Sequence, residues 1–331
     1  MIPTHQIKQS RLGVDSTFIP TEIKDYIVTN GIDQLVYKCV IHKHEITLFI
    51  MCFPGNDSES KFDRWAQRMF AWLHIGFQYS TSTCAQRLSI YIYPTPFKKR
   101  LPQSQHECIG PAHVNTGVAW RCAPEGEIIV YREEEWFKVF VHETFHALGL
   151  DLDPRQVGSL KERMHRRFPI ESDFNVAETY TEVWARIINT VFYSYETCRS
   201  DQKFIKNMVG NLTVERNHSI TQMNKILRFM GIPFASLIGK SEIDILKRRL
   251  YKEKSNVFAY YILGAMLMND PNLFMEWCEE NNNIGFINFD ISDRTAQRFG
   301  DLLERCSNED GLEMNMQFKD DSARMTYFQI N

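Results

Sequence analysis

The sequence has no uninterrupted apolar run approaching the ~18 residues of a membrane-spanning helix, so no membrane partner is expected. It also lacks a C-x-x-C pair. Its eight cysteines, Cys39, Cys52, Cys84, Cys108, Cys122, Cys198, Cys278 and Cys306, are spaced too widely for a small disulfide scaffold. The opening residues, Met1 to Lys8, have no apolar stretch of the kind that makes a secretory leader. These absences together predict a soluble protein of a reducing compartment, the cytoplasm. Charge of one sign is not in excess: 38 Lys and Arg against 41 Asp and Glu leave a formal charge of −3. No general footprint for nucleic acid or an anionic surface follows from that balance. Internal repeats and low-complexity segments are lacking too, and 44% hydrophobic with 24% charged residues excludes a disordered chain.

What is present is a chain of 331 residues, enough for one large domain or two medium ones, with 23 Phe, 13 Tyr and 6 Trp to fill a core. The first part alternates strand-like and helix-like patterns. Residues 34–40 and 45–53 are rich in β-formers around a polar 41–44, which predicts a hairpin. Asn56 and Asp57 offer caps to a helix over 61–77, where Phe62, Trp65, Met69, Phe70, Trp72 and Leu73 recur at helical spacing. Strands are expected at 87–93, 113–120 and 127–131, then a helix over 133–148 with Glu133, Glu134 and Glu135 in its first turn and Gly149 as C-cap.

Residues 151–172 read as irregular and partly basic, and most later patterns are helical: 175–196, 219–230, 241–252, 255–268, 271–281 and 293–306. The expected fold class is therefore α+β, with a mixed or antiparallel sheet and an α+β part over 1–150, followed by a mostly helical part over 151–331.

One motif dominates: His142-Glu143-Thr144-Phe145-His146. Residues four apart share a helix face, so both imidazoles can point at one metal ion, with Glu143 beside them to take a proton from activated water. By composition alone the pattern would arise in roughly one chain of this length in fifty. The surrounding helix is apolar nearly all round and therefore buried, and ionisable groups inside it need ligation or pairing. Catalytic zinc takes three protein ligands. Glu178 and Glu182, four apart in Asn175-Val176-Ala177-Glu178-Thr179-Tyr180-Thr181-Glu182, share a face of a second helix. Either can be the third ligand, the other accepting a hydrogen bond from a ligand histidine.

These residues resemble the zincin metallopeptidases, in particular the gluzincin-like branch with H-E-x-x-H and a later glutamate. The resemblance implies a zincin-like fold and a Zn2+ ion on His142, His146 and Glu178. Glu143 would then be the catalytic base for hydrolysis of a peptide or protein substrate. It also implies an edge strand that docks substrate backbone. His113 to Trp120 is the candidate, similar in place to the Asn-Ala-x-Trp edge strand of thermolysin-like enzymes.

The metzincin pattern, H-E-x-x-H-x-x-G-x-x-H/D, fits through Gly149 but meets Leu152 at its last position, flanked by Asp151 and Asp153. Asn115-Thr116-Gly117 and the run from Arg132 to Glu143 look like zincin-like proteins of large nucleocytoplasmic DNA viruses, which would imply the host cytoplasm or a virion. Tyr260, Tyr261 and His218 are candidates to stabilise an oxyanion. His42, His44 and His165, the Lys98-Lys99-Arg100 cluster and the basic residues of 161–167 read as surface groups. Two functions stay open: a zinc metallopeptidase, or a structural or virion-associated protein on a zincin-like scaffold. A nucleic-acid role has only scattered basic residues behind it, and oligomeric state leaves no mark in the sequence.

Overall fold

The computed structural model describes residues 18–55, 59–198, 200–282, 285–314, 318 and 320–330. The expected caps Asn56 and Asp57 lie outside them. Along the chain run α1 (Thr21–Asn30), β1 (Gln34–Ile41), β2 (His44–Met51), α2 (Glu59–Gly76), β3 (Arg87–Ile92), α3 (Pro111–Val114), β4 (Gly117–Ala119), β5 (Glu125–Val130) and α4 (Trp136–Leu148). Then follow α5 (Pro154–Arg167), α6 (Ala177–Thr197), α7 (Asp201–Phe229), α8 (Phe234–Ile238) and α9 (Glu242–Arg248). A π-helical segment, Phe258–Leu263, leads directly into α10 (Gly264–Met268), before α11 (Pro271–Asn281) and α12 (Asp293–Cys306). The chain divides into two compact units, one of Met1–Lys98, Thr116–Leu150 and Gln329–Asn331, the other of Lys99–Asn115 and Asp151–Phe328.

The first unit holds a five-stranded sheet in the order β1-β2-β3-β5-β4. The outer pairs are antiparallel and the two inner pairs parallel. Strand alternation places Tyr91, Tyr93, Ile129 and Val118 on one face, where they pack with Ile19, Ile23 and Ile27 around α1. The α2 and α4 helices meet through aromatic side chains. Trp65 stacks on Trp136 with centroids 4.0 Å apart, and Trp72 stacks on Phe145 at 5.9 Å. The Trp72 indole also donates to Thr144 Oγ1 at 2.6 Å. Lys61 pairs with Glu133 at 2.5 Å. The axial rotation of α4 is thus set by contacts on the side of it that carries Phe145 and Thr144.

The second unit is helical. Tyr180 and Trp184 of α6 lie among Phe274, Phe289 and Phe299, with ring centroids 5.1 to 6.0 Å apart where they meet. Arg163 of α5 pairs with Asp301 and Glu304 of α12 at 2.6 and 2.7 Å.

Several expectations need correction. Residues 113–120 are not one strand: His113 and Val114 belong to α3, where Pro111 starts the turn and the Gly110 N–H donates to His113 Nδ1 at 3.1 Å. The glutamates 133–135 precede α4 instead of filling its first turn, and Glu135 has a left-handed backbone, φ 60°. Residues 151–172 contain a full helix, α5. Asp153 accepts from the Arg155 N–H and Pro154 pre-sets the first turn, and the helix is so polar that it buries only Gln156, Leu160 and Met164. Helix α7 begins eighteen residues before the expected 219, because its first turns bury nothing until Leu212. His44 is buried, stacked on Phe77 at 4.1 Å, and Lys99 is buried too, so neither is a surface group. Cys84 and Cys122 form a disulfide, where the cysteine spacing had suggested a protein of reduced thiols.

Candidate metal centre

The motif helix α4 is buried at almost every position and closes on Gly149, whose φ of 65° is the left-handed C-cap that favours glycine. The Gly149 N–H donates to the His146 carbonyl at 3.0 Å and the Leu150 N–H to the Phe145 carbonyl at 2.9 Å, which ends the helix at Leu148, two residues beyond the second histidine.

One turn apart on this helix, His142 and His146 bring their Nε2 atoms to 3.3 Å, with the rings edge-on and centroids 5.1 Å apart. Two zinc–nitrogen bonds of about 2.05 Å at the tetrahedral angle put their nitrogens about 3.3 Å apart. The donors therefore have the span of two ligands on one ion. Glu178 stands in the first turn of α6, where Asn175 Oδ1 accepts from the Ala177 N–H at 3.1 Å and fixes the start of the helix. One ligand atom from each of His142, His146 and Glu178 lies within 4.8 Å of the other two, a group that could hold a metal ion. His142 is buried and the other two are half-buried. Among the described residues no other three His, Cys, Asp or Glu side chains gather in this way.

No protein-family model, curated protein or solved structure matches the chain.

Glu182, the alternative third ligand, has a different situation. Arg186 donates from Nε to Glu182 Oε1 at 2.9 Å, and both side chains are 1% exposed. The same guanidinium donates to Ser219 Oγ at 2.8 Å and to the Tyr260 carbonyl at 3.0 Å. Glu182 is thus part of an internal ion pair that ties α6 to α7 and the π-helical segment. Asp153, flanking the metzincin position, caps α5.

Glu143 is buried, 7% exposed, and lies against the end strand β4. A Cβ on Gly117 would come within 2.8 Å of Glu143 Oε1 and 2.7 Å of Val139 Cγ1. The bare backbone of β4 at Gly117 is what makes room for this carboxylate. Nearby, burial drives the Tyr131 phenol well above its ordinary range; Arg132 opposes that shift and the charge of Glu143 adds to it.

Of the three oxyanion candidates, Tyr261 is buried and its hydroxyl donates to the Ala323 carbonyl. His218 has Nε2 3.0 Å from the Arg324 carbonyl. Tyr260 is half-buried, and its backbone is held by Arg186. The close fit of Gly117 to Glu143 went unread in the sequence, although a glycine within an expected strand near a motif helix is the kind of signal that marks a close backbone approach.

Proposed function

We propose that this chain is a zinc-dependent metallopeptidase of the gluzincin kind, with His142, His146 and Glu178 as metal ligands and Glu143 as general base. The observation that supports this most is the 3.3 Å separation of the two imidazole Nε2 atoms, with a Glu178 oxygen in the same 4.8 Å group. Two imidazoles and a carboxylate are a donor set suited to catalytic zinc, and a purely structural site has no use for a neighbouring Glu143. A zinc ion there supplies the Lewis acidity that makes water a competent nucleophile near neutral pH.

The protein's own groups do the rest. The Glu143 carboxylate takes the proton of the attacking water and returns it to the leaving amine. Strand β4, the end strand of its sheet, offers backbone N–H and C=O groups to an extended peptide. Gly117 sets that backbone directly beside the base.

The test is metal content by mass spectrometry together with cleavage of a peptide library. About one zinc per chain is expected in wild type and in Glu143→Gln, with turnover in that variant reduced by a factor of about 10² to 10⁴. Zinc is expected to be largely lost in Glu178→Ala. Wild-type protein that takes up no zinc when offered it returns the chain to the scaffold reading, and cleavage undiminished in Glu143→Gln overturns the mechanism.

A further inference from the structure

We propose that Cys84 and Cys122 form a thiol–disulfide switch that clamps the C-terminal end of α4 and so sets the affinity of the His142–His146 pair for a metal ion. The metal half of this inference rests on the reading given above; the clamp does not.

The two cysteines lie in loops that follow α2 and β4, and they are bonded with a Cα–Cα separation of 4.4 Å. Both loops end on the same helix terminus. The Cys122 N–H donates to the His146 carbonyl at 3.0 Å, the carbonyl that also accepts from Gly149. Ser80, four residues before Cys84, donates from its hydroxyl to the Leu148 carbonyl at 2.8 Å. The disulfide itself fills the space over the cap: a Cβ on Gly149 would meet Cys84 Sγ at 3.1 Å and Cys122 Cβ at 3.2 Å. The cap of the motif helix is therefore packed against the sulfur bridge, and the carbonyl of one histidine is bonded to one of the bridged residues.

Cys122 holds a left-handed backbone, φ 45°, which a non-glycine residue keeps only when its surroundings impose it. The bridge to Cys84 and the bond to His146 are two such restraints. Opening the bridge removes one of them and leaves the turn free to relax away from His146. The last turn of α4 then loses an acceptor bond and its covering.

The chemistry balances with a dithiol reductant. Its first thiolate attacks Sγ of Cys122, the half-buried partner, and the S–S bond breaks to release the Cys84 thiolate. The Thr81 hydroxyl, 3.0 Å from Cys84 Sγ, is placed to donate to that leaving sulfur. The second thiolate of the dithiol attacks the mixed disulfide and frees Cys122. The two protons of the dithiol end on the two cysteines, and the reductant leaves as a cyclic disulfide. Of the other cysteines, Cys278 and Cys306 are buried, and Cys39, Cys52, Cys108 and Cys198 are half-buried.

The experiment compares air-oxidised protein, protein reduced with a phosphine, and the double variant Cys84→Ser/Cys122→Ser. Mass spectrometry after alkylation reports the bridge, amide hydrogen exchange on metal-free protein reports the clamp, and competition with a chromophoric chelator reports zinc affinity. In both the reduced protein and the double variant we expect exchange at Cys122, Gly149 and Leu150 to quicken at least tenfold. Zinc affinity should fall about tenfold in both, the low end of what is lost when a ligand's support is removed. The variant separates this effect from zinc captured by the freed thiols themselves. Free thiols at both positions in oxidised protein, or exchange and affinity equal across the three forms, overturn the proposal. Faster exchange with no zinc bound in any form keeps the clamp and overturns the metal reading alone.

Discussion

Helices α4 and α6 each carry a pair of ionisable residues four positions apart, and the two pairs end up in different states. His142 and His146 converge, with Nε2 atoms 3.3 Å apart. Glu178 and Glu182 part company: the first joins the group that could hold a metal ion, while the second is locked to Arg186 with both side chains 1% exposed. Spacing decides that two side chains share a face. The next residue along that face, Arg186, four further on, pairs with Glu182 and sets it apart.

The sharpest way to break this comparison is to remove each glutamate in turn from metal-free protein. Glu182→Ala leaves the Arg186 guanidinium buried without its carboxylate, and loss of one partner of a buried pair costs about 3–5 kcal/mol. Glu178→Ala, which removes a half-buried carboxylate, is expected to cost less than about 1 kcal/mol and to lose zinc instead. Urea unfolding followed by circular dichroism separates them. Equal losses of stability would mean that the ion pair does not distinguish the two positions.

Much of the first unit was legible because its signals are local. The hairpin, α2 and the motif helix each have strong periodicity and clear boundaries, and β1, β2, α2 and α4 fall within a few residues of expectation. The His142–His146–Glu178 group that could hold a metal ion was legible from histidine and glutamate at helical spacing in apolar surroundings. The sequence left Glu178 and Glu182 as alternatives because the partner that separates them acts through burial. Helix α5 escaped notice because its buried stripe is narrow, Gln156, Leu160 and Met164, and part of its support comes from ion pairs of Arg163 with Asp301 and Glu304, about 140 residues away. The Cys84–Cys122 pairing depends on how the loops after α2 and β4 meet, which no spacing rule states.

A second contrast within the helical unit concerns two buried carboxylates. Glu182 has a guanidinium partner; Glu253 accepts from the Phe258 N–H at 2.8 Å, from the Val257 N–H and from the Tyr251 hydroxyl at 3.3 Å. Burial outweighs those donors and pushes the Glu253 carboxyl up to about 7. Between its ordinary value near 4.5 and this folded value, the unfolded chain has lost the proton and the folded chain still holds it. Stability therefore falls as pH rises through that window, by up to about 3 kcal/mol from this group. Glu253→Gln keeps an acceptor and removes the titration, so its urea midpoint should change less than that of wild type between pH 5 and 7.5. Identical pH slopes in the two proteins would show that Glu253 ionises normally.

The smallest expected effect on stability tests the contact between β4 and Glu143. Gly117 and Gly264 differ in what a methyl group would meet. At Gly117 it would strike Val139 Cγ1 at 2.7 Å and the Glu143 carboxylate at 2.8 Å; at Gly264 it would touch only the Ala259 carbonyl, at 3.4 Å, and side chains beyond 3.7 Å. Gly117→Ala should cost about 1–3 kcal/mol through overpacking, and Gly264→Ala should fall within about 0.5 kcal/mol of wild type. The functional consequences should separate further. On the proposed function, a methyl group at Gly117 displaces Glu143, so zinc content should stay near one per chain while peptide turnover falls about tenfold or more, as misplacing a catalytic group does. Zinc loss in Gly117→Ala would mean that the strand supports the ligands and not the base. Full turnover with full zinc would mean that Glu143 does not work from the place where Gly117 makes room for it.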